Sequence, residues 1–297
     1  MNAAPGAAAS AAARRTAVAA CAWLLLAATC GAAAAVPKVA SINVCTDQLV
    51  LSLADPEQIL TVSWLSADPE ESVRAAEARR YPLNYGSAEE LLRYAPDVVV
   101  AGSFTSAHAR SLLAKLGYEV VTIPPANGVD DIERNIASVA AAVGRPERGA
   151  ALIEHLRETR ARLARSRRAV PVPAVVVRPG GFTTGKGSLA DELMALAGLV
   201  NVPAEQGLDR WGSLSMETLL RTAPELLILT GYRDDEASLA NAVLAHPALR
   251  RLRDEVPTAI VPAAQWSCGL PESLESVETM QSAAARLRRA PPARAGR

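Results

Sequence analysis

Residues 87–100 read SAEELLRYAPDVVV and residues 215–228 read SMETLLRTAPELLI, the second copy beginning 128 positions after the first. Seven of the fourteen positions are identical, among them Glu89/Glu217, Leu91/Leu219, Leu92/Leu220, Arg93/Arg221 and Pro96/Pro224. An internal repeat constrains a fold more than any single motif, because the chain must build the same unit twice. Each copy reads as a short amphipathic helix stopped at Ala-Pro. An acidic residue and a run of apolar β-formers follow, ending near Gly102 or Gly231. This is the helix-to-strand half of an α/β unit whose parallel strand is buried on both faces. A spacing of 128 is too long for a solenoid and suits two successive lobes with a cleft between them.

The N-terminus sets the expected compartment. Arg14 and Arg15 precede an apolar and small-residue stretch from Thr16 to Cys30, and Ala32 to Ala35 offer small-residue cleavage sites before Val36. The pattern reads as a secretory signal peptide over residues 1–35, and so as delivery to the periplasm. Cleavage there leaves about 260 residues, enough for two lobes with cores of their own. Ala27-Ala28-Thr29 is a poor approach to a lipidated Cys30, and Thr16-Ala17 does not strengthen a twin-arginine reading of the Arg pair.

Charge excludes one class of partner. With 31 basic and 31 acidic residues the formal net charge is zero, which gives no electrostatic footprint for nucleic acid. The densest basic run, Arg157 to Arg168, carries Glu154 and Glu158 and reads as a solvated helix face with a Glu158–Arg162 pair. Periodicity predicts strands over 39–43, 59–64, 97–101 and 119–123, with helices over 46–54, 88–94 and 106–116 between them. A helix over 129–143 and a long one over 147–167 follow, and Pro171 and Pro173 reset the chain. The second series gives strands over 174–178, 226–230 and 259–261 and helices over 189–196, 216–222, 239–245 and 272–288. The implied organisation is an N-terminal lobe (36–144), a bridging helix (145–170), a C-terminal lobe (171–290) and a disordered tail (291–297).

The order of lobe, single long helix and lobe, with paired E-x-L-L-x-x-x-P-[DE] segments, resembles the helical-backbone metal-receptor class of ABC-importer substrate-binding proteins. The resemblance covers residues 38–289. Its most specific part is Phe182-Thr-Thr-Gly-Lys186-Gly-Ser188 with Trp211, Ser215 and Glu217 downstream, which is similar to the second lobe of the cobalamin-binding member. It implies two Rossmann-like lobes with parallel sheets, joined by one long α-helix, and a ligand cleft between them. It also implies no enzyme activity and no intrinsic cofactor, but a transported cobalt or iron chelate, with cobalamin or another corrinoid first and ferric siderophore or haem behind. The implied partner is an ABC permease dimer in the inner membrane, met by a monomeric receptor. In the family one acidic residue on each lobe docks with the permease, and Glu89 and Glu217 match those positions.

Three histidines, His108, His155 and His246, have no metal-ligand spacing, which turns the reading away from a bare ion and toward a chelate held by its organic body. Aromatic residues at predicted strand ends are the candidates for that contact: Trp64 and Phe104 in the first half, and Phe182, Trp211, Tyr232 and Trp266 in the second. Arg178 and Arg233 are candidates to meet carboxylate or amide oxygens. Gly180 to Lys186 looks like a phosphate-binding loop, but Gly187 stands where Ser or Thr is required.

Cys45 and Cys268 are the thiols left after the expected cleavage, and both follow predicted strands. Three states are open to them: a disulfide tethering the lobes, thiolate ligation of a soft metal centre, or free thiols. Ser267, Cys268 and Gly269 also stand where the cobalamin-binding member carries acidic and arginine groups. From another class, the pair suits an exported cysteine-dependent redox or metal-handling enzyme. A ligand-sensing partner of a receptor kinase is a third reading.

Overall fold

The computed structural model describes residues 36–231 and 246–288, and the described residues from Pro37 onward form one compact unit. The expected leader, the helix expected over 239–245 and the expected tail lie outside the described residues. Among the described residues no helix is long and apolar enough to cross a membrane.

The first half is built on five parallel strands: β1 (Val39–Ser41), β2 (Ile59–Ser63), β3 (Leu83–Asn84), β4 (Val98–Gly102) and β5 (Glu119–Ile123), in the order β3-β2-β1-β4-β5. The second half has β6 (Val172–Val177), β8 (Leu199–Asn201), β10 (Leu226–Thr230) and β11 (Thr258–Val261), also parallel, in the order β11-β10-β6-β8. Matching β1 with β6 and β4 with β10 makes the second order the first without its edge strand. The sequence repeat is thus a repeat of topology. A small antiparallel pair, β7 (Phe182–Thr184) with β9 (Trp211–Ser213), stands apart from both sheets.

The helices that position the site are α1 (Val44–Leu53), α2 (Ala75–Ala78), α3 (Ala88–Leu91), α4 (Ala107–Lys115), α5 (Val129–Ala142), α6 (Pro146–Arg165), α7 (Leu189–Ala197), α8 (Val202–Glu205), α9 (Met216–Arg221), α10 (Pro247–Glu255), α11 (Ala263–Trp266) and α12 (Glu275–Ala285). Ser87 and Ser215 cap the two repeat helices, accepting from the N–H groups of Glu90 and Thr218. Both copies then place an alanine, Ala95 (φ 44°) or Ala223 (φ 42°), in the left-handed region before the proline. A non-glycine residue there is costly, and the repetition shows the bend to be part of the unit.

Alternation along the strands sorts side chains into cores. Val98 and Val100 of β4, Ala174 and Val176 of β6, and Leu226 and Ile228 of β10 all join one core that includes Leu156 and Leu163 of α6. Their neighbours Val99 and Ala101 face a smaller core with Leu91 and Leu113, while Val175, Val177, Leu227 and Leu229 face another with Leu219 and Leu249. One face of each sheet therefore shares a continuous interior with α6, and the other is covered separately.

The basic run on α6 is a largely exposed face, as expected, but its ion pairs reach other elements. Arg157 bonds Glu133 (2.6 Å), Arg160 bonds Asp130 (2.7 Å) and Glu192 (2.9 Å), and Arg162 bonds Glu278 (2.8 Å) instead of Glu158. At the start of the helix Arg145 and Arg148 both hold Asp55. Helix periodicity shows which residues share a face, but the carboxylates that meet them come from distant positions.

Candidate functional site

A cleft of about 280 Å³ opens between the two halves, walled by loops at the C-terminal ends of parallel strands. In such sheets the chain turns into a helix at these ends, leaving backbone and side chains free to face a ligand. The first half contributes Asn43, Cys45, Thr46 and Leu49 after β1, Gly102 to Phe104 after β4, and Ile123 to Asn127 after β5. The second contributes Arg178 after β6, Thr184, Ser188 to Ala190, Arg210, Trp211 and Trp266 to Gly269. Asn43 leaves the expected strand because its side chain caps α1, accepting from the Cys45 N–H at 3.0 Å.

Cys45 and Cys268 are joined by a disulfide, with an S–S distance of 2.09 Å and a Cα–Cα distance of 5.1 Å. The bond lies in the cleft wall and links the two halves directly. Other contacts reinforce it. Arg210 Nη1 donates to Asn127 Oδ1 at 2.7 Å, Arg74 pairs with Glu272 at 3.1 Å, and the Val129 N–H donates to Glu192 at 3.1 Å. Gly269 fits because it has no side chain: a Cβ there would sit 2.2 Å from that of Ala126 on the opposite wall.

The electrostatics of the cleft are one-sided. Among the described residues no carboxylate lines it, whereas Arg178 and Arg210 do. Among the described residues the Arg178 guanidinium has no hydrogen bond or ion pair. Burial lowers its pKa from the ordinary value, with the charge of Glu71 acting the other way. Arg210 has φ 49°, in the left-handed region, so a bulky cation is held where glycine is the easy residue. Phe104 and Trp211 are respectively 78% and 62% exposed, and they offer the cleft broad apolar faces. Among the described residues no group of His, Cys, Asp and Glu is arranged to hold a bare metal ion.

Of the residues singled out from sequence, the structure brings Phe104, Arg178, Trp211 and Trp266 together with the two cysteines. Trp266 is largely a core residue, its Nε1 donating to Thr230 Oγ1 at 2.8 Å. Trp64 and Phe182 are not among the lining residues. Trp64 packs on Tyr85 with ring centroids 6.1 Å apart, and Phe182 is exposed on β7. Tyr232 and Arg233 lie outside the described residues. Glu89 and Glu217 are exposed near the starts of α3 and α9, away from the cleft lining.

Sequence reasoning missed Asn43, Asn127 and Arg210. A polar residue just past an apolar strand was the available signal for Asn43, and the turn-forming Pro-Pro-Ala-Asn-Gly run was the signal for Asn127. No local pattern marks Arg210, whose role follows from its backbone bend and the opposite wall.

Comparison with known proteins gives a consistent picture. The family model described as "Periplasmic binding protein" matches residues 39–253. Among solved structures, the periplasmic haem-binding protein RhuT from Roseiflexus sp. RS-1 is 19% identical, with a TM-score of 0.70 over 83% of this chain and 98% of its own. The periplasmic vitamin B12 binding protein BtuF of Vibrio cholerae is 17% identical, with a TM-score of 0.64 over 86% and 99%. An ABC-type Fe3+-hydroxamate transport system protein from Saccharomonospora viridis DSM 43017 is 20% identical, with a TM-score of 0.63 over 84% and 93%. At these identities the likeness is one of fold. Comparison with curated protein sequences gives no match.

Proposed function

The chain belongs to the periplasmic binding protein family, and from that premise we propose that it is exported, captures a metal chelate in the cleft and delivers it to an ABC permease dimer. The observation that carries this reading is the cleft itself, where exposed Phe104 and Trp211 stand with Arg178 and Arg210 and, among the described residues, without a carboxylate. Such walls suit a ligand with a broad organic body and an anionic edge. A corrinoid, with its large macrocycle and phosphodiester, is the first assignment.

Haem, with two propionates, and carboxylate-bearing ferric siderophores meet the same requirements and are equally supported. The fold neighbours include proteins named for haem, vitamin B12 and Fe3+-hydroxamate. In each case the metal complex is cargo. The receptor reading is preferred to the cysteine-dependent enzyme because the family is one of binding proteins, and the Cys45–Cys268 disulfide leaves neither sulfur as a thiolate ligand for a metal.

On this reading Glu89 and Glu217 meet the permease, since a two-fold partner is matched by a duplicated charge on the receptor. Intrinsic tryptophan fluorescence tests the cargo. The mature protein is titrated with cyanocobalamin, haemin and ferric siderophores, with inner-filter controls. Trp211 and Trp266 line the cleft, so saturable quenching by one class names it. Silence toward all of them refutes the chelate reading.

A further inference from the structure

In most proteins the interior of a repeat holds its sequence and the surface drifts. The two copies here keep the buried pairs Leu91/Leu219 and Pro96/Pro224, but much of their interior has changed while a set of surface positions has not. The strand residues Val98, Val99 and Val100 are replaced by Leu226, Leu227 and Ile228, although all are buried. The half-buried helix positions also differ, Glu90 against Thr218 and Tyr94 against Thr222. From the cap to the left-handed alanine, the positions exposed in both copies are all identical: Ser87/Ser215, Glu89/Glu217, Leu92/Leu220, Arg93/Arg221 and Ala95/Ala223.

Two of these pairs have reasons inside the fold. The serines cap their helices and the alanines make the left-handed bend. The other three make only local contacts on the surface, Arg93 with Glu90 and the Tyr94 ring, and Arg221 with Glu217 and Thr218. Leu92 and Leu220 are 43% and 45% exposed, while the neighbouring Leu91 and Leu219 supply the core contacts. An outward leucine is unfavourable in water, and keeping it twice at the same depth calls for a surface that covers it. It lies three positions after the glutamate and so shares its helix face. The arginines keep their place although their local acids differ, Glu90 for Arg93 and Glu217 for Arg221.

We propose that Leu92 and Leu220 are paired apolar anchors of a duplicated docking patch, each flanked by a glutamate and an arginine, that seats in two equivalent sockets of a dimeric permease. Each socket would present an apolar pocket with a cation and an acid at its rim. The proposal rests on the docking reading above and adds the leucines and arginines to it. A duplicated patch of mixed charge fits a partner that presents its own surface twice, and a single-site partner would use only one copy.

The test uses the full receptor and the purified permease–ATPase complex for the chelate identified by fluorescence, in lipid nanodiscs, with binding followed by interferometry at two salt concentrations. The double variant Leu92→Gln/Leu220→Gln is expected to bind at least about tenfold more weakly with an unchanged salt dependence, and Leu92→Met/Leu220→Met to stay within about threefold of wild type. Glu89→Gln/Glu217→Gln is expected to weaken binding and flatten the salt dependence. Chelate binding and melting temperature confirm that each variant is folded. If the leucine variant binds as wild type while the glutamate variant does not, the docking reading stands and the leucine anchors are refuted. If neither variant loses affinity, both fail.

Discussion

Breaking the bond between Cys45 and Cys268 is the perturbation whose size follows most directly from the structure. The bond closes a loop with a sequence separation of 223 residues. Chain-entropy arithmetic for a loop of this length gives at most about 5 kcal/mol of stabilisation, through restriction of the unfolded chain. For a protein of this size that corresponds to roughly 10–20 °C in melting temperature. The double variant Cys45→Ser/Cys268→Ala suits the two environments, since Cys45 is partly exposed in the cleft wall and Cys268 is buried among apolar side chains. The native arrangement should survive, because the Arg210–Asn127 and Arg74–Glu272 contacts also cross between the halves. Scanning calorimetry of the oxidised wild type, the same protein with a reductant, and the double variant should give one high and two lower transitions, with chelate affinity largely kept. A double variant melting within about 2 °C of the oxidised wild type would refute the tether argument. Loss of chelate binding with stability intact would instead assign the sulfurs to the cargo.

Three further outcomes can be measured. Burial pushes the Asp47 carboxyl up against hydrogen bonds from Ser63 and Ser66, so its folded form holds a proton better than the unfolded chain does, and its contribution is fullest in acid and lost as pH rises through the folded value. Urea unfolding across pH should therefore show Asp47→Asn at least as stable as wild type near pH 7 with this dependence removed, and Asp47→Ala weaker by about 1–3 kcal/mol because the serine donors lose their acceptor. Hydrogen bonds from Arg145 and Arg148 hold the Asp55 carboxyl down at about 2. Its contribution is present above 3.8 and lost as pH falls through about 2, so Asp55→Asn should flatten the acid end of the stability profile. Arg210→Gly removes the cross-cleft bond while relieving a backbone at φ 49°. Equilibrium titration should find an unchanged melting temperature and about tenfold weaker binding of carboxylate chelates.

The parts of the fold that were legible in sequence are those with strong local periodicity. The strands over 119–123 and 226–230 keep their expected bounds, and the long helix expected over 147–167 spans Pro146–Arg165. The final helix begins at Glu275 rather than 272, because a tight turn over Pro271–Leu274 precedes it. The missed elements are short: β3 has two residues, and β7, β8 and β9 have three each. Over such lengths no period can be read, and their existence depends on neighbours already in place. The aromatic candidates divided for the same reason. Phe104 and Trp211 follow or enter strands beside the cleft, while Trp64 follows a strand as well but finds Tyr85.

By itself the sequence determined that this protein is built twice, because helix stop, buried strand and cap are local properties written into fourteen residues at two places. It also determined the parallel α/β class, since alternation of helical and buried-strand patterns leaves few other arrangements. Only the tertiary structure decided that Cys45 and Cys268 are joined and are neither free nor metal ligands, which carboxylates the α6 arginines meet, and that Arg210 crosses the cleft to Asn127. These are encounters between residues far apart in the chain, and their geometry exists only once both sheets and the helix beside them have packed.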